Sequence, residues 1–216
     1  MVTPAADESV QVGQPVAGGR SFWPGLRLPV PVLIAVVSLV VLSVTLAAMP
    51  EALATDALAI GSRLTARLTF LFFIVAYLAR PVWQRFRWPQ ARWALANRRW
   101  LGLAAALSHS VHLAYVVAFE LATPESNDWL TLVFGGLGFL LFWVLGVTSN
   151  NSSVQALGHR WRWLHRGGIH YLWFIFLVTY AGAATLAPWM WLFVALLVGG
   201  AALRAANYFS KPEGSL

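Results

Sequence analysis

The sequence predicts an all-α polytopic membrane protein: a bundle of six transmembrane helices with both termini in the cytoplasm. Of its 216 residues, 59% are hydrophobic and only 11% are charged, and the mean hydropathy is +0.66. Soluble domains carry about 25% charged residues, so this chain lacks the polar material for a water-facing surface. Its apolar residues form six continuous runs of about 20 residues, which is typical of helices, because barrel strands alternate in polarity. This composition excludes a soluble enzyme core and a disordered chain.

The first three spans follow a polar tail. Residues 1–27 are rich in small and polar types, which predicts a disordered cytoplasmic tail. The first span, Leu28–Met49, is rich in valine and leucine. The second is Leu64–Leu78, or starts earlier if Ala57–Ser62 belong to it. The third, Trp100–Phe119, begins with a tryptophan of the kind that anchors helix ends at the membrane interface.

The last three spans are Trp129–Thr148, Gly168–Thr185 and Trp189–Tyr208. Two of them open on tryptophans, and an arginine-rich loop precedes the other. Glycines in spans 4 and 6 predict close helix packing; they are Gly135, Gly136, Gly138, Gly199 and Gly200. The six spans form one domain over residues 28–208, and residues 209–216 form a short cytoplasmic tail.

The distribution of basic residues predicts the orientation. Thirteen of the 15 lysines and arginines fall in the tails, loops and span ends on one side of the predicted spans. The other side carries Arg63 and Arg67, together with most of the acidic residues. By the positive-inside rule the basic side is cytoplasmic, and both termini lie there.

The charge and the cysteine count each exclude a class of partner or site. A net charge of +7 would suggest nucleic acid for a soluble protein, but here the arginines orient the spans, so we expect no nucleic-acid partner. The chain has no cysteine, which excludes disulfides, thiolate metal sites and iron–sulfur clusters. The partner that the composition predicts is the lipid bilayer.

The histidines are the candidate functional residues, because ionisable groups inside a membrane cost roughly 2.5–3.5 kcal/mol and tend to have a function. His109 and His112 lie in span 3, and they face nearly the same way because they are three residues apart. His170 lies in the first turn of span 5, with His165 just before it and His159 farther out in the loop.

Imidazoles on spans 3 and 5 can meet across a planar ligand, and haem b is the natural candidate. It has an apolar ring, takes two axial imidazoles and needs no covalent cysteine attachment. Arginines at the cytoplasmic span ends can pair with its propionates; they are Arg98, Arg99, Arg162 and Arg166. Two other interpretations stay open: hydrogen bonding between helices, worth ~0.6–2 kcal/mol, and proton or metal chemistry.

Three stretches of the chain resemble a known family. They are Arg63–Arg80, then Arg98–Leu103 followed by His112, and Thr148–His165 with its Thr-Ser, Leu-Gly, Arg-Trp and Leu-His pairs. In these stretches the chain resembles the ferric-reductase-like transmembrane domain superfamily, and within it the haem-binding membrane subunits of bacterial periplasmic methionine sulfoxide reductase systems. The resemblance implies that His112 and His165 are haem histidines.

One position departs from the family, and it bears on the haem count. The family has a second span-5 histidine thirteen residues beyond the position of His165, where this chain has Val178. A valine cannot ligate iron, so we expect one haem, or none, rather than two haems that conduct electrons across the membrane. Depth in the membrane also separates the candidate ligands. At ~1.5 Å per residue, His165 lies about 17 Å shallower than His112, whereas the depth of His170 is closer to that of His112. We therefore keep His112, His170 and His165 as candidate metal ligands, with His109 as a further haem-contacting residue.

The predicted function is a haem b electron-transfer subunit of the bacterial inner membrane, a redox subunit rather than a complete enzyme. It would accept electrons from quinol or from a cytoplasmic flavin reductase, with a quinone or FMN as the donor's cofactor. A partner redox protein, such as a periplasmic reductase, would receive them. The alternative is a haem-free membrane scaffold or assembly subunit that keeps the same helix bundle.

Overall fold

The computed structural model describes residues 29–123 and 129–210, and these ranges form helices, with no strand in them. Two short 3₁₀ turns, Glu51–Leu53 and Pro188–Met190, precede α2 and α8. The α-helices are α1 (Val30–Ala47), α2 (Ala54–Phe86), α3 (Pro89–Ala96), α4 (Arg98–Ala122), α5 (Trp129–Val147), α6 (Asn151–Leu157), α7 (His159–Leu186) and α8 (Trp191–Phe209).

The helices confirm the predicted all-α, multi-pass class. Five of them are long and apolar enough to cross a membrane: α1, α2, α4, α7 and α8. The pair of α5 and α6, bent by 102° at the break between them, makes a sixth if the two helices together count as one span. Helix α2 includes Ala57–Ser62, as the longer of the two predicted spans does, and it continues past Leu78 to Phe86. Helix α7 is longer than predicted, since it begins at His159 rather than near Gly168. The predicted tails, 1–27 and 209–216, lie outside the described residues except for positions 209 and 210.

Helix α2 is the centre of the bundle, and its core contacts are aromatic. Phe70 is completely buried, and its ring meets the rings of Phe176, Tyr180 and Phe193 edge-on at centroid distances of 5.5, 4.9 and 5.0 Å. These contacts join α2 to α7 and α8, in the edge-to-face geometry that aromatic pairs prefer. Helix α4 approaches α2 so closely at Gly61 that a Cβ there would overlap the Tyr115 ring.

A proline inside α2 is compensated by side chains of α8. Pro81 has no N–H, so the carbonyl of Tyr77 loses its usual helical partner. Arg204 Nη2 donates a hydrogen bond to that carbonyl at 2.9 Å, and Asn207 Nδ2 donates to the Pro81 carbonyl at 2.9 Å. These bonds bring the ends of α2 and α8 together. We call this the basic end of the bundle, since all the described arginines except Arg63 and Arg67 lie there.

The prediction of close packing at glycines is right at one position and wrong at the others. A Cβ at Gly200 would lie 2.6 Å from Leu78 Cδ2, so α8 needs glycine there to approach α2. At the other four glycines a Cβ would meet no atom within 4 Å; these are Gly135, Gly136, Gly138 and Gly199. Helix α5 instead packs through Leu145, whose side chain lies 3.0 Å from the position of a Gly168 Cβ.

The two adjacent glycines of α8 provide a matched test of this packing. We expect Gly200→Ala to destabilise the bundle by about 1–3 kcal/mol, because overpacking forces Leu78 and Tyr77 to move. Gly199→Ala should be neutral or stabilising by about 0.5–1 kcal/mol, since its methyl group meets open space and alanine favours the helix. Thermal unfolding in detergent, followed by tryptophan fluorescence, measures both. Equal losses for the two variants would contradict the close approach at Gly200.

Candidate functional site

A cavity of about 250 Å³ lies between α2, α4, α5 and α7, on the side of the bundle away from the basic end. Its walls are mainly apolar and aromatic, with Phe139, Phe142 and Phe176 among the lining residues. The polar groups that border it include two histidines of α4 and two arginines of α2; they are His109, His112, Arg63 and Arg67. An apolar cavity with a few convergent polar groups is the usual form of a ligand or cofactor site, although the volume of this cavity lies just below the range of about 300–1,000 Å³ that such pockets have.

The hydrogen bonds of His112 fix which of its nitrogens is free. Its Nδ1 lies 3.3 Å from the hydroxyl oxygen of Thr65, a completely buried residue of α2. That hydroxyl donates its one proton to the Gly61 carbonyl at 2.7 Å, so its oxygen accepts from the Nδ1–H of His112. Nε2 therefore carries the lone pair. The ring borders the cavity.

His109 packs among rings beside His112. Its ring stacks on Phe139 at 4.2 Å and lies 4.4 Å from Phe142, and the centroids of the two imidazoles are 5.3 Å apart. The Nδ1 of His109 is buried, and nothing in 29–123 or 129–210 provides it with a hydrogen-bond partner. A buried nitrogen without a partner is rare in folded proteins and often marks a place where a ligand or water belongs.

His165 lies outside the cavity and has another role. Its Nε2 is 2.9 Å from the Thr148 hydroxyl, which donates its proton to the Val144 carbonyl, so Nε2–H is the donor. The ring also stacks on Trp161 at 4.0 Å, and Trp161 donates to the Thr148 carbonyl at 2.8 Å. His165 therefore fixes the connection between α5 and α7, and its Nε2 is already engaged in a hydrogen bond to Thr148.

The structure does not bring either span-5 histidine to His112. His170 is exposed on α7 and does not border the cavity. The residues of α7 that do border it begin at Leu172, on the part of the helix farther from the basic end. Of the candidate ligands, only His109 and His112 meet, and both belong to α4.

The predicted propionate partners also lie away from the cavity. They are at the basic end, where Arg99 stacks over Trp100 at 5.3 Å and Arg166 over Trp163 at 5.8 Å. Arg162 and Arg166 border a shallow depression of about 70 Å³, and Arg98 lies at the start of α4.

Arg63 and Arg67 border the cavity instead, and the sequence interpretation had used them only to orient the spans. The signal was present, because the two arginines are four residues apart and so share one face of α2. Arg67 also lies 4.9 Å over the ring of Trp189.

Side chains alone do not form a metal site in the described ranges, where no group of three or more histidine and acidic residues comes together. A haem differs from a bare ion, because its macrocycle supplies four nitrogens and the protein adds one or two axial ligands. No protein-family model and no solved structure matches the chain at a significant level. The function is therefore argued from the chemistry of the cavity.

Proposed function

We propose that this chain is a membrane redox subunit that holds one haem b in the cavity, with His112 as the axial ligand through Nε2. The observation that carries the proposal is the hydrogen bond of His112 Nδ1 to Thr65, which leaves Nε2 unprotonated beside an apolar cavity. Ligating histidines commonly donate their other N–H in this way, which fixes the tautomer and the ring orientation. Bound haem would supply a one-electron carrier.

The residues around the cavity fit a haem held by one histidine. Aromatic rings line the walls, and two arginines stand at its border where the acidic propionates can pair with them. Two axial ligands must approach iron from opposite faces of the macrocycle. His109 and His112 are neighbours on one face of α4, so they do not form such a pair. The protein's contribution to the reduction potential would come from His112, burial and the charges of Arg63 and Arg67.

The position of the cavity bears on the direction of electron transfer. It lies toward the end opposite the basic end, and by the positive-inside rule this is the periplasmic half of a bacterial inner membrane. We therefore propose a periplasmic redox protein as the acceptor. Quinol, or a flavin reductase carrying FMN, remains the proposed donor, since nothing in the chain resembles a flavin or nicotinamide domain.

One observation favours the second function, a haem-free scaffold or assembly subunit. The position where the resembling family carries a further histidine is Val178, and its side chain is exposed on α7. The other family position, His165, donates its Nε2–H to Thr148. A bundle that keeps these helices but lacks the haem-ligating histidines could hold a partner protein in place without carrying electrons.

An absorption spectrum separates the two functions. The protein is expressed in haem-replete cells, purified in detergent, and scanned before and after dithionite. The proposal predicts a Soret band, a reduced α-band and close to one haem per chain by the pyridine haemochrome assay. A flat visible spectrum from a monodisperse protein, unchanged after incubation with haemin, would support the scaffold and overturn the haem proposal.

The hydrogen bond to Thr65 gives a sharper prediction. Thr65→Val keeps the shape of the side chain but removes the acceptor for His112 Nδ1–H, so we expect haem affinity to fall by about 10–100-fold. Thr69→Val is the matched control, because Thr69 is equally buried on α2 and its hydroxyl donates to the Thr65 carbonyl at 2.9 Å rather than contacting a histidine. Titrating haemin into the apoprotein measures both affinities. A Thr65→Val variant with wild-type affinity would show that Thr65 does not orient the ligand.

A further inference from the structure

The guanidinium of Arg204 is held in a fixed position at the basic end and still has donors to offer. It lies 3.9 Å over the ring of Tyr77, and its Nη2 donates to the Tyr77 carbonyl at 2.9 Å. Its Nε is buried and has no acceptor within the described part of the chain. A guanidinium has five N–H groups in a planar fork, so most of its hydrogen-bonding capacity remains for another acceptor.

Other cations surround Arg204 from the neighbouring helices. Its bond to the Tyr77 carbonyl places it one turn from Arg80 on α2, and Arg98 at the start of α4 is close enough for its charge to act on both. On α7, the charges of Arg204 and Arg166 both reach His170. Four helices therefore bring positive or protonatable groups to one place.

This cluster of cations has no counter-charge among the described carboxylates. The structure describes three acidic residues, Glu51, Asp56 and Glu120, and all three lie at the opposite end of the bundle, at the start of α2 or the end of α4. Like charges brought together repel, and the repulsion is strongest where water is excluded. An anion that is not part of the described chain would relieve it.

The depth of the cluster favours a lipid as the source of that anion. Arg204 is five residues from the end of the 19-residue α8, about 8 Å along the helix axis. A helix of that length matches the hydrocarbon core of roughly 30 Å, so Arg204 lies in the outer part of the core, the depth from which arginine side chains near helix ends extend to the headgroups. Basic pockets between transmembrane helices on the cytoplasmic side are a known type of binding site for anionic headgroups. Arginine suits the phosphate because its planar fork can bind two oxygens at once.

We propose that Arg204, Arg98 and Arg80 bind the phosphate of an anionic phospholipid headgroup in the leaflet at the basic end. This site is separate from the cavity and does not depend on the haem proposal. Arg204 also satisfies the carbonyl freed by Pro81, so the headgroup site is tested at Arg98, whose replacement leaves that bond in place.

Delipidated protein provides the test, with phosphatidylglycerol, phosphatidylcholine and inorganic phosphate as three separate additions. Native mass spectrometry counts bound lipid, and the unfolding midpoint reports stabilisation. We expect phosphatidylglycerol to remain bound and to raise the midpoint, and Arg98→Gln to weaken its binding at least about tenfold. Arg99→Gln, the matched control, removes the same charge from an exposed arginine one residue away and should bind like wild type.

Three results would overturn the proposal of a phospholipid headgroup site. Equal binding of phosphatidylglycerol and phosphatidylcholine would show that the headgroup charge does not matter. The same stabilisation by millimolar phosphate would identify a free anion rather than a lipid as the ligand. Equal losses in Arg98→Gln and Arg99→Gln would show general attraction to a basic surface in place of a defined site.

Discussion

His112→Ala is expected to reduce the haem content of the purified protein at least about tenfold while leaving the bundle folded. The substitution removes the Nε2 that borders the cavity, and the resulting space cannot coordinate iron. Haem per chain, from the pyridine haemochrome assay, measures the effect, and a monodisperse peak in size-exclusion chromatography confirms folding. His165→Asn is the control, because it removes an imidazole from the Thr148 contact but keeps a donor there. A His112→Ala protein with full haem and an unchanged reduced spectrum would show that the ligand lies elsewhere.

Filling the cavity should have an effect of similar size. Gly138 borders the cavity, and a Cβ there meets no atom within 4 Å, so Gly138→Phe can place its ring in the space that the cofactor would occupy. We expect at least about a tenfold loss of haem with an unfolding midpoint equal to that of the wild-type apoprotein, or above it.

Gly136→Phe is the matched control for the cavity. Gly136 is exposed and lies two residues away, about 200° around the helix, so its side chain would point away from the cavity. This variant should keep its haem. Haem retained in full by folded Gly138→Phe protein would mean that this cavity is not the binding site.

The membrane-spanning helices could be predicted from the sequence, because a continuous apolar run inside a bilayer is stable only as a helix. Their ends were less predictable. Helix α2 continues to Phe86, and α7 begins at His159. The arginines and aromatic residues near these ends give no clear signal for where a helix stops or starts. Hydropathy locates the part of a helix that needs lipid, whereas the helix itself continues into the interface and beyond it.

The candidate site was predictable at His112 but not at its neighbours. His112 stood out because it lies deep in an apolar span, and the structure places it at the cavity. The depth argument paired it with His170, but depth does not give the rotation of a helix, and His170 turns out to be exposed. The spacing of Arg63 and Arg67 puts them on one face of α2, but four helices form the cavity, and the sequence does not show which helix faces will meet.

Replacing every histidine of α7 tests the central claim most directly. The triple variant His159→Asn, His165→Asn and His170→Asn leaves His109 and His112 as the only histidines of the chain. If His112 alone among the candidate ligands holds the haem, this protein keeps close to one haem per chain, with the reduced α-band of the wild type. Loss of the haem from the folded triple variant would contradict the account, and would place an axial ligand on α7.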